Sequence, residues 1–404
     1  MIKKLAWRNL WRNRRRTFIT TTSITFSVML AIFMQSMQKG TFSNLIRNVV
    51  TFHSGYIQIH GKGYWDEQVI ENCFYYGDTI NRLIREVDGV AGTVPRLESY
   101  ALVSFGTLTR GCMLMGTLPI REDSLTRLSS RTSSGEYLKD TSEFVMVAQG
   151  LARKLRLSVG DTLVLLGQGY QGSMAAGKYR VGGLLAFSAP ALNDNMVYLT
   201  LSRAQACLGA EGMVTSVALN ISDPAKMAGI QEDLTAKIGA AYEVMNWKEM
   251  MPEIDNHIRS DAIGFRVFTG VLYLIVAFGI FSTMLMMTAE RRYEFGMVLA
   301  IGMKRSKLAW ILFGETILIS VMGTLSGILL SFPVVWYFRQ HPIRFSGANA
   351  RAFESWGFEP VMPTVIDAAI FTEQSLIVLL ISCIVGLYPV LHVRFIDPVR
   401  DMKK

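Results

Sequence analysis

One stretch of this sequence approaches the spacing of a phosphate-binding loop. Residues 172–178 read GSMAAGK, which puts Gly172, Gly177 and Lys178 where such loops cradle nucleotide phosphates. The next residue should be a Ser or Thr whose hydroxyl holds magnesium, but Tyr179 stands there among short strand-like runs. We therefore interpret the stretch as the tip of a β-hairpin and expect no nucleotide site in it.

Other side chains that could do chemistry are scattered along the chain. His53 and His60 stand seven residues apart, the four cysteines form no Cys-x-x-Cys pair, and no Gly-x-Ser-x-Gly elbow occurs. The sequence therefore predicts no catalytic residues, no metal site and no cofactor bound by this chain. We do not expect it to be an enzyme.

The composition favours a membrane protein. Half of the 404 residues are apolar, 18% are charged and the mean hydropathy is +0.28, whereas soluble domains carry about a quarter charged residues. Four stretches reach the roughly 20 apolar residues that a helix needs to cross a bilayer; they lie at 17–39, 264–289, 308–338 and 367–393. The first is too long for a signal peptide and lacks a cleavage site, so we expect an uncleaved anchor.

Basic residues cluster in three short segments beside these spans. Seven lie in residues 1–16, five in 290–307 and four in 394–404. Short basic segments stay in the cytoplasm, and four crossings put all three on that side, with residues 40–263 outside. The net charge of +9 thus reflects membrane topology rather than nucleic-acid binding, and residues 1–16 are typical of an amphipathic helix on the inner leaflet.

The loop between the second and third spans carries a family resemblance. Its pattern ER-x-x-E-x-G-x-x-x-A-x-G begins at Glu290, and Glu315 and a G-x-x-x-G pair at Gly323 follow in the third span. The chain also has LAWRNLWRNRRRTFIT near its start, FVMVAQGLARKLRLSVGDTL at 144–163 and YPVLHVRFIDPVRDMKK at its end. With these segments it resembles the FtsX/MacB-type permeases of ABC transporters.

The resemblance implies a fold: a membrane protein of four transmembrane helices, with a large mixed α/β extracytoplasmic domain (a MacB-like periplasmic core) inserted between the first and second helices. The expected order is a cytoplasmic basic helix, the first membrane helix, the periplasmic domain, the second membrane helix, a coupling loop, the third membrane helix, an extracytoplasmic loop, the fourth membrane helix and a cytoplasmic tail. The corresponding residues are 1–16, 17–39, 40–263, 264–289, 290–307, 308–338, 339–366, 367–393 and 394–404.

In this family the cytoplasmic loop is a coupling helix that docks on the ATPase. ATP and magnesium would then be bound by a separate ATPase subunit. By position, the resemblance assigns the coupling role to six residues: Glu290, Arg291, Glu294, Gly296, Ala300 and Gly302. The alternative is a plain interfacial turn between two spans.

A further element, Trp247 with Pro252, resembles the LolC/LolE type of this family, which releases lipoproteins. A helix that starts near Pro252 and continues into the membrane would be a stiff rod able to carry motion. In the same type a protruding hairpin docks a soluble lipoprotein carrier, and an ordinary surface hairpin is the alternative. The hairpin here offers Tyr170, Gln171, Met174 and Lys178.

The spans themselves suggest where cargo could pass. Methionine side chains are adaptable, and plain lipid-facing side chains are the alternative to an acyl-chain cavity between the first two spans. The predicted cavity residues are Met34, Met37, Phe265 and Phe268. Gly323 and Gly327 form a helix-packing pair, and for Glu315 we expect a structural or coupling role rather than proton transfer.

We therefore predict a permease subunit in the bacterial inner membrane, with both termini cytoplasmic. It would belong to an ATP-driven complex that extracts lipoproteins and hands them to a periplasmic carrier by mechanotransmission. The expected partners are an ATPase dimer, a second copy or a homologous permease, lipoprotein cargo and the carrier. The alternatives are MacB-like efflux of antibiotics or peptides, and an FtsX-like signalling scaffold that controls a periplasmic hydrolase.

Overall fold

The computed structural model describes residues 14–49, 54–187, 189–347, 350 and 360–392. Most of the predicted amphipathic helix at 1–16, and all of the predicted tail at 394–404, lie outside the described residues. Contacts divide the chain into two compact units. We call them the inserted unit (44–256 and 345–360) and the helical unit (1–43, 257–344 and 361–404).

The helices and strands of the described residues are numbered in chain order. The helices are α1 Arg14–Val49, α2 Tyr64–Glu67, α3 Asp78–Arg85, α4 Pro119–Thr126, α5 Gln149–Leu155, α6 Pro190–Asn193, α7 Leu201–Leu208, α8 Met227–Ile238, α9 Trp247–Met250, α10 Pro252–Glu290, α11 Arg292–Ala300, α12 Arg305–Gln340 and α13 Ala368–His392. The strands are β1 Ile57–Gly61, β2 Phe74–Tyr75, β3 Val90–Phe105, β4 Leu108–Thr117, β5 Thr132–Gly135, β6 Val145–Ala148, β7 Thr162–Gln168, β8 Met174–Leu185, β9 Met196–Thr200, β10 Met213–Val214, β11 Ser216–Ile221, β12 Tyr242–Asn246, β13 Ile343–Arg344 and β14 Val361–Met362.

Six strands of the inserted unit close into a barrel. Pairing runs from β3 through β4, β9, β6, β8 and β7, and β7 returns to the second half of β3. Burial alternates along β7, where Leu163 and Leu165 are buried and Leu166 is exposed, as expected for a strand with one face toward a closed interior. Closure pairs both edges of these strands and removes exposed templates for aggregation.

The first half of β3 belongs to a second, open sheet. It pairs with β11, and the order continues through β1 to β12, all antiparallel. Helices α3 and α8 pack together beside this sheet, where Ile84 and Leu234 are fully buried. Because β3 is 16 residues long, one strand serves both layers of a mixed α/β unit.

The helical unit contains four helices, α1, α10, α12 and α13, that are long and apolar enough to cross a membrane. The predicted architecture, four such helices with a mixed α/β domain after the first, is confirmed. The four helices share one buried core among the described residues: Ile24, Val28, Ile32, Val276, Ile280, Met284, Ile319, Val335, Ile370 and Val378.

Candidate coupling site and cargo path

The connection between α10 and α12 is itself a short helix, α11. Arg291 alone separates α10 from α11, and α11 ends at Ala300. Gly302 then has a φ of 100°, a left-handed conformation that strains any residue with a Cβ. The chain turns there, and α12 begins at Arg305. Helix α11 therefore stops two residues before this glycine.

One apolar face holds α11 against the start of α12. Phe295 is 4% exposed, and Gly296 beside it is also buried. Phe295 packs in one cluster with residues of α12 and with partly buried neighbours: Leu308, Ala309, Leu312, Leu299, Met303 and Val390. Val390 belongs to α13, so the short helix is fixed to two membrane helices at once.

A buried ion pair lies at the junction of α10 and α11. The Arg291 guanidinium donates through Nη1 to Glu315 Oε2 of α12 at 2.9 Å, and through Nε to Glu294 Oε2 of α11 at 3.3 Å. Its carbon Cζ lies 5.7 Å from the centre of the Phe295 ring, within cation–π range. The Arg291 side chain is 12% exposed and that of Glu315 only 1%. The family pattern indicated both residues separately, but nothing in it indicated that they form a pair.

The opposite face of α11 is open. Tyr293, Met297 and Ile301 are 55%, 40% and 81% exposed, and the Glu294 side chain is 44% exposed. Of the six predicted coupling residues, Arg291 and Gly296 therefore face inward. The remaining four are exposed or half-exposed: Glu290, Glu294, Ala300 and Gly302. A surface that combines apolar side chains with one carboxylate can fill a groove of a partner protein.

The glycine pair of α12 lies against α1. A Cβ built on Gly323 would lie 2.7 Å from Ile24 Cβ, and one built on Gly327 would lie 2.7 Å from Val28 Cβ. Thr25 Oγ1 donates to the Gly323 carbonyl at 3.2 Å. The two backbones approach as closely as small residues allow.

The four predicted cavity residues are not brought together in one cluster. Met34 and Met37 of α1 and Phe265 of α10 are half-buried, whereas Phe268 is 54% exposed. Within the described residues, none of the four belongs to the buried core that the helices share. Phe265 and Phe268 contact each other with ring centres 6.4 Å apart.

The predicted carrier-docking hairpin is shorter at its tip than expected. The sequence predicts that 172–178 form the tip, but β8 already begins at Met174 and pairs with β7 from there. Tyr170 and Gln171 form the turn, whereas Met174 and Lys178 lie in the strand. Met174 is 86% exposed, so the hairpin presents a large apolar side chain at the start of β8.

The Trp247 element forms the short helix α9, directly before α10. The Asn246 side chain accepts from the backbone of Lys248 and Glu249, and Glu249 accepts from the Asn246 amide in return, which is a capping box. Trp247 is 3% exposed, and its amide donates to the Tyr56 carbonyl at 3.0 Å. Helix α10 follows at Pro252 and continues to Glu290.

A buried histidine is the main titratable feature of the inserted unit. Gln58 Nε2 donates to the Ser54 carbonyl at 2.6 Å, so Gln58 Oε1 accepts from His60 Nε2 at 2.7 Å. Burial lowers the pKa of His60 to about 4, and the Glu98 carboxylate opposes this only in part. Across the residues with described positions, no group of three or more His, Cys, Asp or Glu side chains could hold a metal ion; His53 lies outside them.

Comparison with protein families matches nearly the whole chain. Residues 17–237 match the MacB-like periplasmic core domain, and residues 266–398 match the FtsX-like permease C-terminal domain. The first match begins with α1 and covers most of the inserted unit. The second includes α11, α12 and α13, and with them the ion pair and the glycine contacts.

Individual relatives are distant. The chain is 22% identical over 339 residues to an uncharacterized ABC transporter permease protein of Mycobacterium tuberculosis, covering 80% of this chain and 37% of that protein. It is 20% identical over 340 residues to the macrolide export ATP-binding/permease protein MacB of Escherichia coli, covering 81% and 51%. The chain thus spans about half or less of the length of these curated relatives.

Two solved structures are similar to the inserted part. One is the periplasmic region of MacB from Actinobacillus actinomycetemcomitans, with 14% identity, a TM-score of 0.36, and coverage of 52% of this chain and 96% of that one. The other is the extracellular domain of the ABC-type transporter YknZ from Gram-positive bacteria, with 16% identity, a TM-score of 0.35, and coverage of 47% and 99%.

Proposed function

Because this chain belongs to the FtsX/MacB family of ABC transporter permeases, we propose that it uses ATP turnover in a partner ATPase to extract lipoproteins from the membrane. The ATPase binds the open face of α11. The lipoprotein leaves the bilayer along α10 and passes to a soluble carrier at the β7–β8 hairpin. The resemblance to LolC/LolE-type permeases in the Trp247–Pro252 element supports this choice of cargo.

The observation that carries the proposal is the course of α10. This helix starts at Pro252, directly after the Trp247 capping box, and ends at Glu290, one residue before α11. Over the outer part of its apolar stretch it exposes large side chains, each at least half exposed: Ile263, Val267, Phe268, Val271 and Leu274. One element therefore offers an apolar face to acyl chains and ends at the coupling helix.

The apolar character of this face favours an amphiphile over a hydrophilic solute. Acyl chains bury apolar area on contact with such side chains, whereas an ion or sugar would need polar groups along the path. Met174 at the start of β8 supplies a further exposed and adaptable side chain, which suits brief contact with a carrier.

The cargo assignment is tested by site-specific photocrosslinking. A photoreactive residue at Phe268 should capture a lipidated protein but not the same protein without its lipid-bearing cysteine. The matched control is Leu380 of α13, which is 60% exposed and lies outside the proposed path; it should capture neither form. Equal capture of both forms at Phe268, or equal capture at both positions, would contradict lipoprotein extraction.

Macrolide export is the second candidate, because four of the relatives carry that name, including the proteins of Escherichia coli and Bdellovibrio bacteriovorus. A macrolide is also amphiphilic and could use the same face of α10. Deletion of the gene distinguishes the two functions: export predicts macrolide sensitivity with normal lipoprotein sorting, and extraction predicts retained lipoproteins with unchanged sensitivity.

A further inference from the structure

We propose that Glu315 is a positioning residue that locks the coupling helix α11 to the third membrane helix α12 through Arg291. In this view α11 and α12 move as one body when the ATPase acts on α11. The inference rests on the proposed docking of an ATPase at α11, but it does not depend on which cargo is moved.

The location of the pair is the first argument. Arg291 is the single residue between α10 and α11, so its side chain sits at the one point where the two helices can bend relative to each other. Its Nη1 donates to Glu315 Oε2 on α12 at 2.9 Å, across 24 residues of sequence. The Arg291–Glu315 ion pair therefore lies at the point where α10 and α11 can bend.

Burial is the second argument. The Glu315 side chain is 1% exposed and that of Arg291 is 12% exposed. Separating the two would take the guanidinium away from a carboxylate that is almost fully buried, and removing the close partner of a buried charge is strongly unfavourable. A displacement of α11 that broke the pair would thus cost more than one that carried α12 along.

The contacts around the ion pair also hold α11 against α12. Arg291 also contacts Glu294 and the face of Phe295 on α11, and Phe295 packs on Leu308 and Leu312 of α12. The next residue of α12, Thr316, contacts α10, because its Oγ1 lies 3.4 Å from Met284 Sδ. Charge, ring and apolar contacts all join α11 to α12 rather than leaving it as an extension of α10 alone.

The test is a distance measurement by spin labelling on the complex with its ATPase, with the four native cysteines replaced. One label replaces Arg292, which is exposed at the start of α11 and is not among the residues of its open face, and the other replaces Leu329, which is 75% exposed on α12. In the otherwise unchanged protein the distance should be the same without nucleotide and with trapped ATP. In the Glu315→Gln variant it should change by several ångströms on trapping, while ATP is still hydrolysed.

Two further variants keep the test decisive. Glu315→Asp retains the charge and should keep the distance constant. If Glu315→Gln does not insert stably, the double variant Arg291→Met with Glu315→Leu leaves neither charge unpaired and should show the nucleotide-dependent change. Glu373→Gln, the same chemical change at an exposed position of α13, is the control and should behave as the parent.

A constant distance in Glu315→Gln and in the double variant would overturn the proposal, as would a nucleotide-dependent distance in the parent protein. Neither result depends on lipoprotein release. If the distances change as expected but no lipidated protein is moved, the cargo assignment is wrong. The proposal that the Arg291–Glu315 pair holds α11 to α12 is then still supported.

Discussion

Buried charge is the residue-scale feature that the two units share. Arg96 and Glu122 pair in the inserted unit at 2.6 Å, and Arg291 and Glu315 pair in the helical unit at 2.9 Å. An acid inside an apolar span demands a partner, and this made Glu315 recognisable in the sequence. Its partner could not be identified, because only the folded loop brings residues 24 positions apart into contact. No pattern pointed to Arg96, which lies within a strand.

Removing only one partner of the Arg96–Glu122 pair is expected to destabilise the fold strongly. Both side chains are at most 2% exposed, and Thr117 Oγ1 also donates to Glu122 at 2.9 Å. Glu122→Leu should lower the free energy of unfolding by about 3–5 kcal/mol, because it removes the carboxylate that pairs with a fully buried guanidinium. The double variant Arg96→Met with Glu122→Leu should recover much of this loss. Denaturant unfolding of the full chain in detergent measures both, and equal losses in the single and double variants would contradict the account.

Acid should weaken the inserted unit through His60. The pKa of His60 is about 4 in the folded protein, below its ordinary value of 6.5, so the unfolded chain binds the proton more readily between these values. The contribution of this group to stability is complete above about pH 6.5. It is lost, by roughly 2–4 kcal/mol, as the pH falls toward 4.

Thermal unfolding of the full chain between about pH 7.5 and pH 4 measures this contribution. The His60→Gln variant is the control, because its amide nitrogen can still donate to Gln58 but does not titrate. The parent should lose stability with acid more steeply than the variant. Parallel curves for the two proteins would show that His60 does not cause the pH dependence.

At the scale of elements, sequence patterns predicted where helices and strands lie better than they predicted which elements pair with each other. The sequence predicts a strand over Val90–Phe105, and β3 has these bounds. Strand β12, Tyr242–Asn246, was not predicted. Its residues are all half-buried and include Glu243 and Asn246, so no alternation marks it, and it is a strand because it pairs with β1.

The β7–β8 hairpin likewise contains strand residues that the sequence pattern alone did not predict. The small residues after Gly172 have low strand propensity and were interpreted as a tip. In the fold Ala175 is buried and pairs with Gly167, so β8 starts earlier than predicted. Likewise the G-x-x-x-G spacing predicted that a helix packs on Gly323 and Gly327, but it could not say that this helix is α1.

Close packing of α1 on α12 makes a quantitative prediction. Gly323→Ala places a Cβ 2.7 Å from Ile24 Cβ, and relieving that clash should cost about 1–3 kcal/mol. Gly270→Ala in α10 is the matched control, since a Cβ there meets nothing within 4 Å; it should be neutral or slightly stabilising. Thermal unfolding in detergent compares the two, and equal effects would mean that the α1–α12 contact is not tight.

At the scale of the whole molecule, the family could be predicted from the sequence and the cargo could not. The FtsX/MacB assignment rested on motifs spread over the chain and is confirmed by matches at 17–237 and 266–398. The choice of cargo depends instead on the shape and polarity of the route that the cargo takes through the permease. Short sequence motifs rarely encode these properties. Lipoprotein extraction through LolC/LolE-type features therefore stays a prediction, beside the macrolide export named for its relatives.

The central claim is that ATP turnover in a partner, received at α11, drives lipoproteins out of the membrane. The most direct measurement is release of a lipidated reporter from proteoliposomes that contain this chain and its ATPase, with a soluble lipid-binding acceptor outside. Glu294→Lys, which reverses the half-exposed charge on α11, serves as the uncoupled comparison. We expect release that requires ATP, the lipid on the reporter and the native Glu294. Release without ATP, unchanged release in Glu294→Lys, or steady ATP hydrolysis with no release by the parent protein would contradict the account.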